Sequence, residues 1–210
     1  GGPNVSFALI AQAYMAASGL TRADCGRIAV AQRENALKNP HALMKKPLSL
    51  DDYLRARSIA PPIHLFDCVM PCAGAEAFLV MREETARAQG LSFVHLTAAI
   101  ERHNGFPADP VMLRGGWARD VDTLWAMAGV APGAVDLVQT YDDYPFISAM
   151  QFEDLGLCPP GGLSAFIAGH DFTTTGSLPH NTSGGQLSVG QAGCAGGSLG
   201  LVEALRQLTD

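Results

Sequence analysis

Apolar positions recur at helical spacing along residues 4–19 and stop at Gly19, which predicts a helix closed by a glycine. Thr21-Arg22-Ala23-Asp24 reads as the cap and first turn of a second helix that ends before Pro40. A short helix is expected from Ser49 within residues 47–57, ahead of the Pro61-Pro62 break. The first sixty residues are therefore read as helical, closer to an insertion or lid than to the core of a sheet. Beyond them the texture changes. His64–Asp67, Ala75–Met81, Ser92–Ile100 and Val135–Thr140 suit buried strands, the last of them central. Residues 82–90, 119–130, 145–156 and 198–208 suit helices, and the alternation argues an α/β layered fold. No repeat period and no linker divides the chain.

The hydrophobic share of 48% against 16% charged residues marks a globular chain. Fourteen Lys and Arg against twenty Asp and Glu give a formal charge of -6, which offers no footing for nucleic acid. The longest apolar runs, Ala8–Ala17 and Ala73–Met81, are too short to span a bilayer, and no secretory leader is evident. Five cysteines, an odd number, favour reduced thiols and a cytoplasmic protein over a disulfide framework.

Several familiar chemistries fail on spacing. The glycine-rich stretch 190–200 lacks the lysine of a phosphate loop and does not fit the dinucleotide fingerprint. It is either a tight turn packing a helix or a cradle of backbone N–H groups for an anion or oxyanion. Cys68 and Cys72 form a C-x3-C pair without two further ligands at zinc spacing, and no G-x-S-x-G occurs. Two polar constellations remain. Thr140-Tyr141-Asp142-Asp143-Tyr144 directly follows a strand-like run, where α/β proteins place their chemistry. Pro179-His180-Asn181-Thr182-Ser183-Gly184-Gly185-Gln186 precedes Gly190-Gln191. Each alone could be turn chemistry, and both together on one chain point to a site.

These residues resemble a known family. LPHNTSGGQLSVGQAGCAGG resembles the thiolase-superfamily segment N-P-S-G-G-x-x-S-x-G-H-P-x-G-A-x-G. TYDDYPFISAMQFEDLGLCPPGG resembles the H-D-C-F region of sterol-carrier-protein thiolases, and NPHALMKKPLSLDDYLRARSIAPPIHLFDC resembles their loop region. The resemblance implies a partial layered αβαβα fold: residues 1–65 helical loop domain, 66–106 the end of the N-terminal half, 107–210 much of the C-terminal half. Relative to the family, the chain is expected to lack its beginning, with the nucleophilic cysteine, and its end. Cys194 stands at the glycine after G-H-P and does not correspond to a family catalytic cysteine.

Gln191 and Tyr141 stand where thiolases carry histidines. An amide cannot serve as a base, so ordinary thiolase chemistry is not expected. The chain is more similar to steroid side-chain aldolases, which carry Y-D-x-F and N-T-x-G-G-Q-L, although their second tyrosine falls at Gln191. That branch implies retro-aldol cleavage of a β-hydroxyacyl-CoA, no cofactor beyond the coenzyme A of the substrate, a homodimer, and an OB-fold partner protein.

A phenol with a pKa of about 10 is a poor base, and lowering it by three units takes roughly 4 kcal/mol. Tyr141 is therefore expected to act as donor or proton shuttle, with His180 or a water as base. The N–H groups around Gly184, Gly185 and Gly190 are candidates for the enolate oxygen, and Asp142, Asp143, Asn181 and Ser183 for further substrate contacts. Tyr141 and Gln191 should face one cavity walled by Asn181–Gln186. The resemblance implies an aldolase or a related acyltransferase, and the alternative is a non-catalytic thiolase-like subunit that binds acyl-CoA or lipid, or scaffolds the partner.

Overall fold

The structure is a computed structural model that describes residues 2–209. Helix α1 (Pro3–Ser18) starts on proline and ends where Gly19 turns left-handed at φ 75°. Helix α2 (Arg22–Lys38) opens on a reciprocal capping box between Thr21 and Asp24. Ser49 caps α3 (Leu50–Arg55), as its sequence suggests. A two-stranded antiparallel ribbon follows, β1 (Ser58–Ala60) and β2 (Ile63–His64). Then come α4 (Glu83–Ala88), α5 (Val121–Ala128), α6 (Pro145–Asp154), α7 (Leu163–Gly169), α8 (Gly185–Val189) and α9 (Gly196–Thr209).

The first sixty residues are helical as expected, but they do not form a lid. Helix α2 runs through the middle of the fold against α3, α6, α7 and α8. Its Ile28, Gln32, Asn35 and Ala36 have no exposed surface. Beside it, Phe152 of α6 stacks on Phe172 at 5.4 Å between ring centres and meets His180 edge-on at 4.9 Å.

The expected strands are corrected in detail. Ala75–Met81 and Ser92–Ile100 run without a ladder partner among the described residues, and Leu79, Val80 and Leu96 are more than four-fifths exposed. An apolar run becomes a strand only where a neighbour takes up its backbone groups, and none does so here. Val135–Thr140 is not a strand either. It contributes one parallel bridge, Val138 to His180, closed by Val138 N–H to Pro179 O at 2.9 Å and Asn181 N–H to Val138 O at 3.1 Å. A second bridge joins Pro71 to Gln191. The first bridge brings the polar constellations together, and the second holds Gln191 against a third segment.

Candidate active site

The two constellations meet at Tyr141. The phenol donates to Asp143 Oδ2 at 2.9 Å, and Gln191 Nε2 donates to Tyr141 Oη at 3.3 Å and also to Asp143 Oδ1. The Tyr141 backbone is fixed from α6, since its N–H donates to Gln151 Oε1 at 3.2 Å and its C=O accepts from Gln151 Nε2 at 2.7 Å. Partial burial and the Asp143 carboxylate push the phenol up to about 12, so it stays protonated at neutral pH. Burial also raises the Asp143 carboxyl above its ordinary value. The cluster is a proton-bearing phenol hydrogen-bonded to a carboxylate of increased basicity, which fits the expected donor or shuttle role.

Asp142, the next residue, points inward and is fully buried. Its carboxylate accepts from Gln186 N–H at 2.9 Å, Leu187 N–H at 3.3 Å, Gln32 Nε2 at 3.1 Å and Gln186 Nε2 at 3.5 Å. Burial pushes it up to about 6. It fills the N-terminus of α8, where sequence reasoning looked for substrate contacts or an oxyanion site. Gly185 sits at φ 61° with its Cα against Asp142 Oδ2, so a side chain there would collide with the carboxylate.

The oxyanion assignments at Gly184 and Gly190 need correction. Gly184 N–H already donates to Asn181 O at 2.8 Å, and Gly190 N–H to Gln186 O at 3.1 Å. Both glycines have positive φ and pack closely, Gly184 against Ala36 and Gly190 against Cys72 and Leu43. Asn181, itself at φ 43°, accepts Thr140 N–H on Oδ1 at 2.8 Å. It serves the loop as a turn residue.

His180 is also corrected. It has no exposed surface, and its Nε2 lies 2.7 Å from Thr140 Oγ1. That hydroxyl also bonds Ser148 Oγ at 2.8 Å, and His180 Nδ1 is buried without a partner. Burial lowers the imidazole to about 3. A histidine that weakly basic, sealed among Phe152 and Phe172, is part of the core and not the base expected.

A cavity of about 280 Å³ opens beside Tyr141. Asn181, Ser183, Gly185 and Gln186 form one wall, as expected, and the glycine face of α9 at Gly196, Gly197 and Gly200 forms another. Gln191 touches the phenol without lining that cavity. Sequence reasoning missed Gln32, whose site role depends on a contact 110 residues away, and named Gln186 only as part of the loop, without its bond to Asp142. It also missed Glu203, buried in α9, which accepts from Thr182 Oγ1 at 2.5 Å and ties α9 to the loop. Among the described residues no group of three His, Cys, Asp or Glu is placed to hold a metal ion.

A family profile described as "Thiolase C-terminal domain-like" matches residues 99–210, and the chain belongs to that thiolase-like family. It is 34% identical to the 17-hydroxy-3-oxo-4-pregnene-20-carboxyl-CoA lyase of Mycobacterium tuberculosis, over 98% of this chain and 55% of the relative. It is 33% identical to the steroid side-chain-cleaving aldolase of Thermomonospora curvata, over 95% of this chain and 52% of that protein. A solved structure, the Ltp2-ChsH2(DUF35) aldolase, superposes with a TM-score of 0.75 at 27% identity, over 91% of this chain and 52% of its own. The fold is thus thiolase-like, and the chain spans about half the length of the relatives it matches.

Proposed function

We propose that these residues serve a retro-aldol cleavage of a β-hydroxyacyl-CoA. The supporting observation is the phenol of Tyr141, which lines a cavity walled by the Asn181–Gln186 loop and donates to Asp143. Tyr141 takes the proton of the β-hydroxyl as it passes its own to Asp143. The Cα–Cβ bond then breaks, its electron pair moves into the thioester enolate, and a ketone is released. Returning the proton to the enolate carbon gives the shortened acyl-CoA. A phenol held near 12 cannot wait as a phenolate, so the relay through a raised carboxylate is the route this geometry favours.

The names of the two steroid-cleaving relatives favour a bulky, branched acyl chain. The reading extends to a homodimer, to an OB-fold partner, and to no cofactor beyond the coenzyme A of the substrate. It extends also to the cytoplasm, which suits five cysteines that are all free. No helix among the described residues is long and apolar enough to cross a membrane.

The test is to incubate the full natural polypeptide, with any co-encoded partner, with a branched β-hydroxyacyl-CoA and to measure released ketone. A second reading, an acyl-CoA-binding subunit without catalysis, is favoured by one feature: the neutral Gln191 amide bridges the phenol and Asp143. Tight binding without any ketone would decide for it.

A further inference from the structure

Asp142 is bonded to its neighbours in a way that the relay does not use. In the chain it directly follows Tyr141. In space it grips the first turn of α8 through Gln186 N–H and Leu187 N–H. The other end of α8 runs through Gly190, whose N–H donates to Gln186 O, straight into Gln191. Gln191 is pinned in turn to the Met70–Cys72 strip, donating to Met70 O at 2.8 Å and accepting from Cys72 N–H at 2.9 Å. Any slip of α8 against the Tyr141 loop therefore changes the 3.3 Å contact of Gln191 with the phenol. Among the described residues of the first forty, the side chain that hydrogen-bonds Asp142 is Gln32, fully buried in α2.

We propose that Asp142 and Gln32 are a pair of positioning residues, a buried clasp that sets the register of α8 and so the approach of Gln191 to Tyr141. The proposal rests on the retro-aldol reading for its effect on rate, but not for its geometry. All four contacts to Asp142 are N–H donors, so the full set closes best on the ionised carboxylate, and a proton there displaces part of it. Gln32 Oε1 and Gln186 Oε1 are both buried without a partner. Rotation of either amide offers that oxygen to a proton on Asp142, which opens the clasp without exposing it. The groups around it leave its charge uncompensated. Asp143 adds like charge, and Arg33 of α2 is bonded to Ser188 Oγ and Lys46 O. Glu203 of α9 is bonded to Thr182, and His180 is neutral. Protonation near pH 6 should thus open the clasp while the fold persists.

The test compares wild type, Gln32→Met and Asp142→Asn. Methionine keeps the volume of Gln32 and removes the donor. The expected result for Gln32→Met is a kcat down about tenfold at pH 7, with KM within about threefold, recovering toward pH 8.5 because the acid limb of kcat moves up. A loss equal at every pH, or an unmoved acid limb, would overturn the clasp. A second readout needs no turnover, the ¹³C resonance of the Tyr141 Cζ followed from pH 4 to 9. Asp143 gives one step in every variant. A further step should move upward in Gln32→Met and vanish in Asp142→Asn. If that step behaves so while wild type releases no ketone, the clasp stands and the retro-aldol reading falls. If no variant changes the Tyr141 resonance, the clasp is refuted.

Discussion

Replacing His180 with glutamine should remove an acid-sensitive penalty from the stability of this fold. The imidazole is fully buried, its Nδ1 faces no acceptor, and its pKa falls from the ordinary 6.5 to about 3. A depressed histidine favours the fold where it is neutral, and that advantage drains away as pH falls below 6.5. Between pH 7 and 5 the loss amounts to about 2 kcal/mol, close to the full 1.36 kcal/mol per pH unit once below 6.5. Asp142 works in the opposite sense. Its carboxyl is raised from 3.8 to about 6, so protonation on acidification returns about 1 kcal/mol over the same interval. In wild type the two oppose each other. His180→Gln keeps an N–H that can reach Thr140 Oγ1 but has no ring nitrogen to charge, which leaves the Asp142 contribution unopposed. Urea unfolding at pH 7 and pH 5 measures the difference directly, and groups common to both proteins drop out of it. The variant should become more stable relative to wild type by about 2 kcal/mol on going to pH 5, whatever it loses at pH 7. Parallel pH dependences for the two proteins would mean that His180 is not held neutral by burial, and the account of the Thr140–Ser148–His180 chain would be wrong.

Tyr141→Phe should lower ketone release by at least about 100-fold, the lower bound for a positioned acid–base group, while acyl-CoA binding stays within a few-fold. Because the residue is 40% exposed, its melting temperature should barely move, and a wild-type rate would remove the phenol from the chemistry. Gln191→Tyr restores the second phenol of the aldolase pattern. A gain in rate in the same assay would show that the pocket is built for the reaction. Gly185→Ala forces a side chain into the left-handed region and against Asp142, which should cost about 2–4 kcal/mol by urea unfolding; a cost under 1 kcal/mol would show that the Asp142 grip on α8 is loose.

The helices were legible because their signals are local. Thr21 with Asp24, Ser49, and the glycines at 19 and 129 each cap or end an element within a few residues of themselves. The strands were misread for the complementary reason. Ala75–Met81 has the apolar composition of a buried strand, but composition is silent on whether another strand lies beside it. The same limit explains the lid reading of residues 1–60. Helix α2 carries Gln32, Arg33 and Asn35, which look like a solvated face until their partners, Asp142, Ser188 and the Phe172 and His180 carbonyls, arrive from more than a hundred residues away.

The candidate site divides along the same line. Tyr141, Gln191 and the Asn181–Gln186 loop could be named from the motifs; Tyr141 and the loop share a cavity, whereas Gln191 touches the phenol from outside it. Which of the adjacent polar groups bonds to the phenol and which to the core helices could not be named, because neighbours in a non-helical segment point to opposite sides. Tyr141 and Asp143 share one side and bond to each other, while Asp142 between them turns inward to α2 and α8. Likewise Thr140 and His180 fill an interior polar chain, and the N–H groups of Gly184 and Gly190, which looked like oxyanion donors, are spent on turns. The alternation also fixes the order of consequence for substitutions. Changing Asp143 should alter the phenol directly, whereas changing Asp142 should reach it only through α8 and Gln191. A double-mutant cycle of Asp142→Asn with Gln191→Ala can test that order. If Asp142 acts through Gln191, the rate loss from Asp142→Asn should largely disappear once Gln191 is gone. If the two losses simply add, the inward carboxylate reaches Tyr141 by some route other than the helix it holds.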